Sequence, residues 1–309
     1  MLGGYIDSFD LMIVGRGIFG IGCESMYVGQ ATIVSSWFIN YEISLAISMI
    51  SCIPLCGSFL GGALVPRIYE RNWSFGEAFR IGFLLCIAGF MLCLVLTFID
   101  YKTEKHDKKL LQEFIEEKKK AKMLKGLSKE KKMMKSFKQG ADIGDSFKCE
   151  DIKELGVPFW LTCFSCMCTY IAIINSLIIG SSVLHTRFNF SEVEAGFYFT
   201  LPYLVSAILS PICGAVVEKF GKRMTINIWG SAIMVFAHIY QICLPDCDKC
   251  IISLGPLILL GVSYTAYAVV LWGALPYMVE ARVLGTAFGI CTTFQNIGTV
   301  IAPPILGAI

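Results

Sequence analysis

Apolar positions in this chain fall in long unbroken blocks, without the alternating or one-faced patterns of water-soluble strands and helices. Eight blocks stand out: Leu11–Trp37, Ile43–Pro66, Ala78–Ile99, Phe159–His185, Ala195–Val217, Met224–Leu244, Ile251–Met278 and Leu284–Ile309. Each is of the order of the ~20 residues that a helix needs to cross a bilayer. Aliphatic and aromatic residues surround each block on all sides, as helices facing lipid and one another require. The pattern predicts an all-α membrane protein of about eight transmembrane helices: three blocks, one long polar segment, then five. Glycine recurs inside the blocks, where it lets membrane helices approach closely.

Composition agrees with that pattern. Of 309 residues, 55% are hydrophobic and 16% charged, and the mean hydropathy is +0.66. A soluble domain carries about a quarter charged residues. Disorder, a coiled coil and a small disulfide scaffold are excluded. Charge is concentrated rather than spread: Tyr101–Val157 holds sixteen lysines against eleven acids. Phe114, Phe137 and Phe147 are too sparse among those lysines for a base-stacking platform, so the partner implied is the lipid bilayer and not nucleic acid.

The same lysines set the orientation. With segment 101–157 placed in the cytosol, the short connections at 39–42, 218–223 and 282 fall on that side too. Twenty basic residues then lie on the cytosolic side against five on the other, as the positive-inside rule expects. The two N-glycosylation sequons, Asn72-Trp-Ser74 and Asn189-Phe-Ser191, both fall on the non-cytosolic side. Within the basic segment, Leu110, Leu111, Phe114 and Ile115 share one helical face. Two readings stand: a solvated charged linker, or an amphipathic helix lying on the anionic leaflet. Asp107-Lys-Lys-Leu110-Leu111 also fits an acidic dileucine sorting pattern. Met1–Asp10 lacks the basic and apolar regions of a signal peptide.

Most of the fourteen cysteines sit inside apolar blocks, where they read as small packing residues. Cys247-Asp-Lys-Cys250, with Cys243 nearby, is the exposed group. Three thiols without a neighbouring histidine argue against zinc and leave a loop disulfide or free thiols. No HExxH, GxSxG, Walker loop or clustered histidine–acid site occurs, so neither an enzyme nor an ATP-driven pump is expected. No cofactor and no metal are implied.

Three motifs carry functional information. Gly214-Ala-Val-Val-Glu218-Lys219-Phe-Gly221-Lys222-Arg223 joins two spans: an acid ends one helix, a glycine turns, and a basic pair opens the next. That spacing allows a charge relay at a helix joint. Arg16-x-x-x-Gly20-x-Gly22 places an arginine inside a span, where a charge is costly and usually functional. Glu24 follows eight residues on, about 80° around the helix and roughly 12 Å along it, so both charges are expected to face one cavity. Gly57-Ser58-Phe-Leu-Gly61-Gly62 supplies small residues for a close helix contact.

Together these segments resemble the major facilitator superfamily. The first is similar to its G-x-x-x-[DE]-[RK]-x-G-[RK]-[RK] signature, the second to its helix 4 motif, and the third to its helix 5 pattern with Ser58 where proline is expected. Further pieces recur in order, among them Trp37-Phe38, Pro158-Phe-Trp160, Leu271-Trp272 and Gln295-Asn-Ile-Gly298. They look like a branch of lysosomal carriers that export dipeptides by uniport with a glycosylated accessory membrane protein.

The resemblance implies a partial major facilitator fold equivalent to helices 4–11 of twelve, with Met1-Leu-Gly-Gly matching the tail of helix 3. The expected organisation is 1–100 as the remainder of an N-terminal six-helix half, 101–157 as a basic cytosolic linker, and 158–309 as the C-terminal half. On this basis the chain is expected to be a fragment or an incomplete gene model. Relatives carry an arginine where this chain has Leu55, which puts dipeptide specificity in question.

The function expected is secondary transport of a small organic solute, a dipeptide for preference, across a lysosomal or vacuolar membrane by alternating access. The alternative is a non-transporting or defective truncated protein acting as sensor or accessory subunit. Expected substrate-binding residues are Glu24, Tyr170, Asn175, Tyr264, Trp272, Gln295 and Asn296, since carboxylates, amides and aromatic rings can hydrogen-bond and stack on a peptide. Tyr267 is a further cavity candidate. Arg16, Gly214, Glu218, Gly221, Lys222 and Arg223 are expected to serve gating or structure. His238, alone in its span, reads as structural.

Overall fold

The computed structural model describes residues 6, 8–38, 42–72, 75–125, 152 and 155–307. Met1-Leu-Gly-Gly and residues 126–151 of the lysine-rich segment lie outside these residues. The described residues contain no strand. The long helices are α1 (Phe9–Phe38), α2 (Ile43–Asn72), α3 (Phe75–Lys125) and α4 (Val157–Phe188), then, after the short α5 (Glu192–Tyr198), α6 (Leu201–Phe220), α7 (Arg223–Cys243), α8 (Gly255–Met278) and α9 (Leu284–Gly307). Single 3₁₀ turns at Ile251–Leu254 and Ala281–Val283 lead into α8 and α9.

Every apolar block is thus helical, with two refinements. The block at Ala195–Val217 is two helices, because Thr200 caps α6 and Pro202 occupies its first turn, a position where proline's missing N–H costs nothing. Seven helical stretches among the described residues are long and apolar enough to cross a membrane, rather than eight. The shortfall is α9, where Thr292, Thr293, Gln295, Asn296 and Thr299 interrupt the apolar run. This helix still packs its Leu284, Ala287, Phe288 and Cys291 into the core, so its polarity is not spread over all faces.

Packing divides the chain into two units, 1–12 with 74–146, and 13–73 with 147–309. In the first, α3 exposes apolar side chains all round, including Leu85, Phe90, Leu92 and Phe98. A helix apolar on every side belongs in lipid. The helix continues as far as Lys125, which carries it into the lysine-rich stretch, where Lys109 and Glu113 pair at 3.9 Å across one turn. An exposed pair of this kind contributes little stability.

The second unit is built around α8, which packs on α6, α7 and α2, while α2 lies along α6 and α9 along α4. Most of α8 is buried. Tyr267, Leu271, Trp272 and Leu275 form the core with Ile43, Ile47, Phe159 and Phe288. Close approach is written into particular glycines. A Cβ at Gly261 would lie 2.8 Å from the Pro202 carbonyl oxygen and 2.9 Å from Val205 Cβ, so only glycine lets α8 meet α6 there.

The loop between α7 and α8 is tied to the C-terminal end of α4. Arg187 Nε donates to Asp246 Oδ1 at 2.5 Å and its Nη2 to the Leu244 carbonyl. Lys249 Nζ pairs with Glu194 at 2.9 Å. The Glu194 carboxylate raises the Lys249 ammonium above its ordinary value, so this pairing persists through neutral pH and, on the basic side, is lost as pH rises through the raised value. Cys247 and Cys250 form a disulfide, and Cys243 is free.

Asn189, which closes α4 in the left-handed conformation, is followed by a capping box. Ser191 Oγ accepts from the Glu194 N–H, and the Glu194 carboxylate accepts from the Ser191 N–H. Ser191→Ala is expected to lower unfolding stability by about 1 kcal/mol, read as a drop in melting temperature. Ser191→Thr, which keeps both the cap and the sequon, is expected to melt close to the parent protein.

Candidate functional site

The second unit holds an open cavity of about 560 Å³, within the range of small-molecule sites. The helical repeat explains its largest wall. Phe19, Cys23, Met26, Tyr27 and Gln30 of α1 line it, at three- and four-residue intervals that stack side chains on one face. Glu24 projects from the edge of that stripe. Ser51, Pro54 and Leu55 come from α2, and Tyr264, Ala268 and Trp272 from α8 at the same four-residue interval. Tyr170 of α4, Ser210 of α6 and Gln295 of α9 close the remainder.

The aromatic wall is fixed before any solute arrives. Trp272 Nε1 donates to Tyr170 Oη at 3.0 Å. Tyr27 meets Trp272 edge-on with ring centroids 5.5 Å apart, and Tyr170 meets Tyr264 in the same way at 5.9 Å. Behind them Phe288 stacks on Trp272 at 6.1 Å. Buried aromatic pairs of this geometry each contribute about 0.5–1.5 kcal/mol beyond area burial, so the wall is rigid. The serine hydroxyls are turned toward their own helices: Ser51 Oγ donates to the Ile47 carbonyl and Ser210 Oγ to that of Ser206.

Of the residues singled out from sequence, Glu24, Tyr170, Tyr264, Trp272 and Gln295 come together here. The others stand elsewhere. Asn175 is buried in α4, its Nδ2 donating to the Ile171 carbonyl of its own helix at 2.6 Å. Asn296 is half-buried on α9 and does not line the cavity. Tyr267 is fully enclosed in the core, its hydroxyl 2.8 Å from Ser165 Oγ. Arg16 is exposed and off the lining. His238 joins α7 to α4 through Nε2 and Ser176 Oγ at 2.8 Å.

Sequence reasoning passed over Cys23, Tyr27, Gln30, Ser51 and Ser210. Tyr27 carried a usable signal, since it lies one turn after Glu24, and Gln30 lies one turn after Tyr27. The two serines had none, because nothing in their sequence distinguishes them from other serines in the spans.

A second constellation lies where α6 ends and α7 begins. Gly221 terminates α6 with φ +66°, and its N–H returns to the Val217 carbonyl at 2.8 Å. That turn sets Glu218 and Arg223 side by side at 3.5 Å. Glu218 also reaches another helix: the Ser44 backbone N–H, at the start of α2, donates to Glu218 Oε1 at 2.5 Å. A carboxylate at a helix N-terminus meets unpaired N–H groups and the positive end of the helix dipole.

Arg223 Nη2 donates to Ser44 Oγ at 3.2 Å and to Tyr277 Oη at 3.4 Å, and the guanidinium lies 4.4 Å from the Tyr277 ring centre. One acid and one base therefore tie α2, α6, α7 and α8 together. Lys222 is exposed at the N-cap of α7. Gly214, one turn before Glu218, allows the approach. A Cβ there would lie 2.3 Å from Ser48 Oγ and 3.0 Å from Leu45 Cα.

Comparison with known proteins adds an independent view. Residues 1–303 match the Major Facilitator Superfamily. Over 320 aligned positions the chain is 28% identical to the lysosomal dipeptide transporter MFSD1 of Homo sapiens, covering 100% of this chain and 61% of that protein. Identity is also 28% to the proteins of the same name from Mus musculus and Gallus gallus, of which 61% and 64% are covered. The chain spans about six tenths of the length of the relatives it matches.

Proposed function

Because the chain belongs to the Major Facilitator Superfamily, a family of transporters embedded in the membrane, we propose that it serves a secondary carrier that moves a dipeptide-sized solute by alternating access. The observation that carries this reading is the cavity. Six helices bring one carboxylate, two amides and a preset aromatic wall around about 560 Å³ of open space. A transporter needs such a site between elements that move against one another.

In this reading, residues 1–100 and 158–309 belong to the two halves that rock, and 101–157 is a cytosolic linker. Glu24 binds a solute amine or a proton. Glu218 and Arg223 hold the cytosolic side shut by joining α2 to α6, α7 and α8. The lysosomal or vacuolar membrane is the proposed site of action, and a glycosylated accessory membrane protein the proposed partner. Support for the location comes from the relatives, whose name describes a lysosomal dipeptide transporter.

The test is uptake of labelled dipeptides into proteoliposomes. The parent protein is expected to transport. Glu24→Gln is expected to reduce transport by about tenfold or more, since a hydrogen bond to a charged group is worth ~1.5–3 kcal/mol. Undiminished transport in Glu24→Gln removes this residue from the mechanism, and absence of uptake by the parent protein removes the carrier reading.

A further inference from the structure

At the end of the bundle that the charge distribution assigns as non-cytosolic, α2 closes against α5. The Arg67 guanidinium lies 5.7 Å from the centre of the Phe197 ring, and Phe59 meets the same ring edge-on at 6.2 Å. A Cβ on Gly196 would lie 3.5 Å from Pro66 Cγ. The α5 helix has seven residues, fewer than the ~12–15 that a helix needs to hold itself in water, so its place is set by what grips it. Ala195 is buried in one apolar cluster with Leu244, and Cys247 packs against that cluster. Glu194 accepts from Lys249 Nζ at 2.9 Å.

Lys249 holds this position in a costly backbone conformation. Its φ of +47° lies in the left-handed region, which a residue with a side chain occupies only when its surroundings enforce it. Its N–H donates to the Phe188 carbonyl at 2.9 Å. The Cys247–Cys250 disulfide brackets it, and so short a ring leaves the enclosed backbone few alternatives. Both cysteines are half-buried beside the exposed Asp248 and Lys249, within reach of a small reagent.

We propose that Cys247–Cys250 is a thiol–disulfide exchange site for low-molecular-weight aliphatic thiols, and that its state sets how firmly α5 holds α2. The thiolate of one such thiol attacks a cysteine sulfur of the disulfide. The S–S bond breaks, a mixed disulfide forms, and the released cysteine thiolate takes up the proton that the attacking thiol gave up. A second thiolate attacks the reagent sulfur of the mixed disulfide. The small-molecule disulfide leaves, and the second cysteine is released and protonated in the same way. Two small thiols are oxidised, the protein disulfide is reduced by two electrons, and the reverse steps restore it. Once the ring is open, Lys249 is free to leave the left-handed region and Glu194, and α5 loosens from α2. The exchange stands apart from the carrier reading, whereas its bearing on transport rests on that reading.

The test uses the full chain in proteoliposomes with the non-cytosolic face outward. The reagents are 2-mercaptoethanesulfonate and its disulfide at stepped ratios, neither of which crosses the bilayer. After their removal, one aliquot is alkylated and mass-mapped at Cys247 and Cys250. A second is labelled with an impermeant maleimide and mapped at Cys23, which is exposed, free and on the cavity wall. Cys247 and Cys250 are expected to open and close together as the ratio changes. Reduction is expected to speed Cys23 labelling about two- to fivefold, the range that loss of an exposed ion pair supports. Lys249→Ala is expected to label at the faster rate with the disulfide intact, and to respond little to reduction.

A disulfide that resists every ratio overturns the proposal. So does reduction that leaves Cys23 labelling unchanged, or a Lys249→Ala protein that labels at the rate of the oxidised parent. Faster labelling on reduction, in a protein that takes up no dipeptide, supports the proposal and overturns the carrier reading.

Discussion

Replacing Glu218 with alanine is expected to slow transport to below about a tenth of the parent rate and to open the cavity to the cytosolic side. The reason is the number of partners that one carboxylate serves. It accepts from the Ser44 N–H at the start of α2 and pairs with Arg223 at the start of α7. Without it, the first turn of α2 loses an acceptor for a donor that has no partner within its own helix. Arg223 keeps only Ser44 Oγ and Tyr277 among these contacts. Hydrogen bonds to charged groups contribute about 1.5–3 kcal/mol, enough to shift a two-state equilibrium by roughly 10- to 150-fold.

Cys23 offers a direct readout, being exposed, free and on the cavity wall. A membrane-impermeant maleimide applied from the cytosolic side, with peptide mass mapping at Cys23, is expected to label Glu218→Ala faster than the parent. Glu218→Gln retains an acceptor but loses the charge, so an intermediate rate is expected. Labelling at the parent rate in both variants would sink the latch.

Gly214→Leu is expected to have an effect of similar size by a different route. This glycine sits where α6 crosses α2, and a Cβ would press on Ser48 Oγ and on the α2 backbone at Leu45. A serine side chain can rotate away. A helix backbone cannot, so the two helices must separate. Overpacking of this kind costs about 1–3 kcal/mol. Separation at Gly214 also draws Glu218, one turn later, away from the Ser44 N–H.

The expected result is a lower melting temperature together with the same rise in Cys23 labelling. Gly89→Ala is the comparison, because a Cβ at Gly89 meets nothing within 4 Å. Its melting temperature is expected to stay within a degree or two of the parent. Destabilisation by Gly214→Leu without a change in labelling would mean that this crossing supports the fold and not the gate.

The sequence was legible to different depths. Apolar blocks mark the helices because every backbone group in lipid must be satisfied within the helix, leaving composition and length as the main signal. The helix ends moved by a few residues where caps decided them, as at Asn189 and Gly221. In α9 the composition signal weakened, since its threonines and amides dilute a helix that nonetheless packs firmly along α4.

The motif at Gly214–Arg223 was readable as an acid and a base at a helix joint, because Glu218 and Arg223 are close in sequence. Its third partner was not. Ser44 lies 174 residues away, and no local pattern marks a backbone N–H as the acceptor's target. Likewise five of the eight residues named for the cavity meet there, while Asn175 turns to its own helix, Tyr267 is enclosed in the core and Asn296 stays off the wall. Spacing fixes which side chains share a helix face, but not which neighbour that face meets.

What the sequence determined by itself is therefore the membrane-spanning helical class, the order of the helices, the family and the charged joint at Glu218. These follow from hydropathy, charge distribution and short-range spacing, all properties of neighbouring residues. The tertiary structure alone decided that α1, α2, α4, α6, α8 and α9 enclose one cavity, that Leu55 sits on its wall, and that Glu24 is the charge it presents. The same holds for the grip of Glu218 on α2. Those facts depend on which helices lie side by side, and that is fixed by close packing at residues such as Gly214 and Gly261, whose missing side chains set how near two backbones can come.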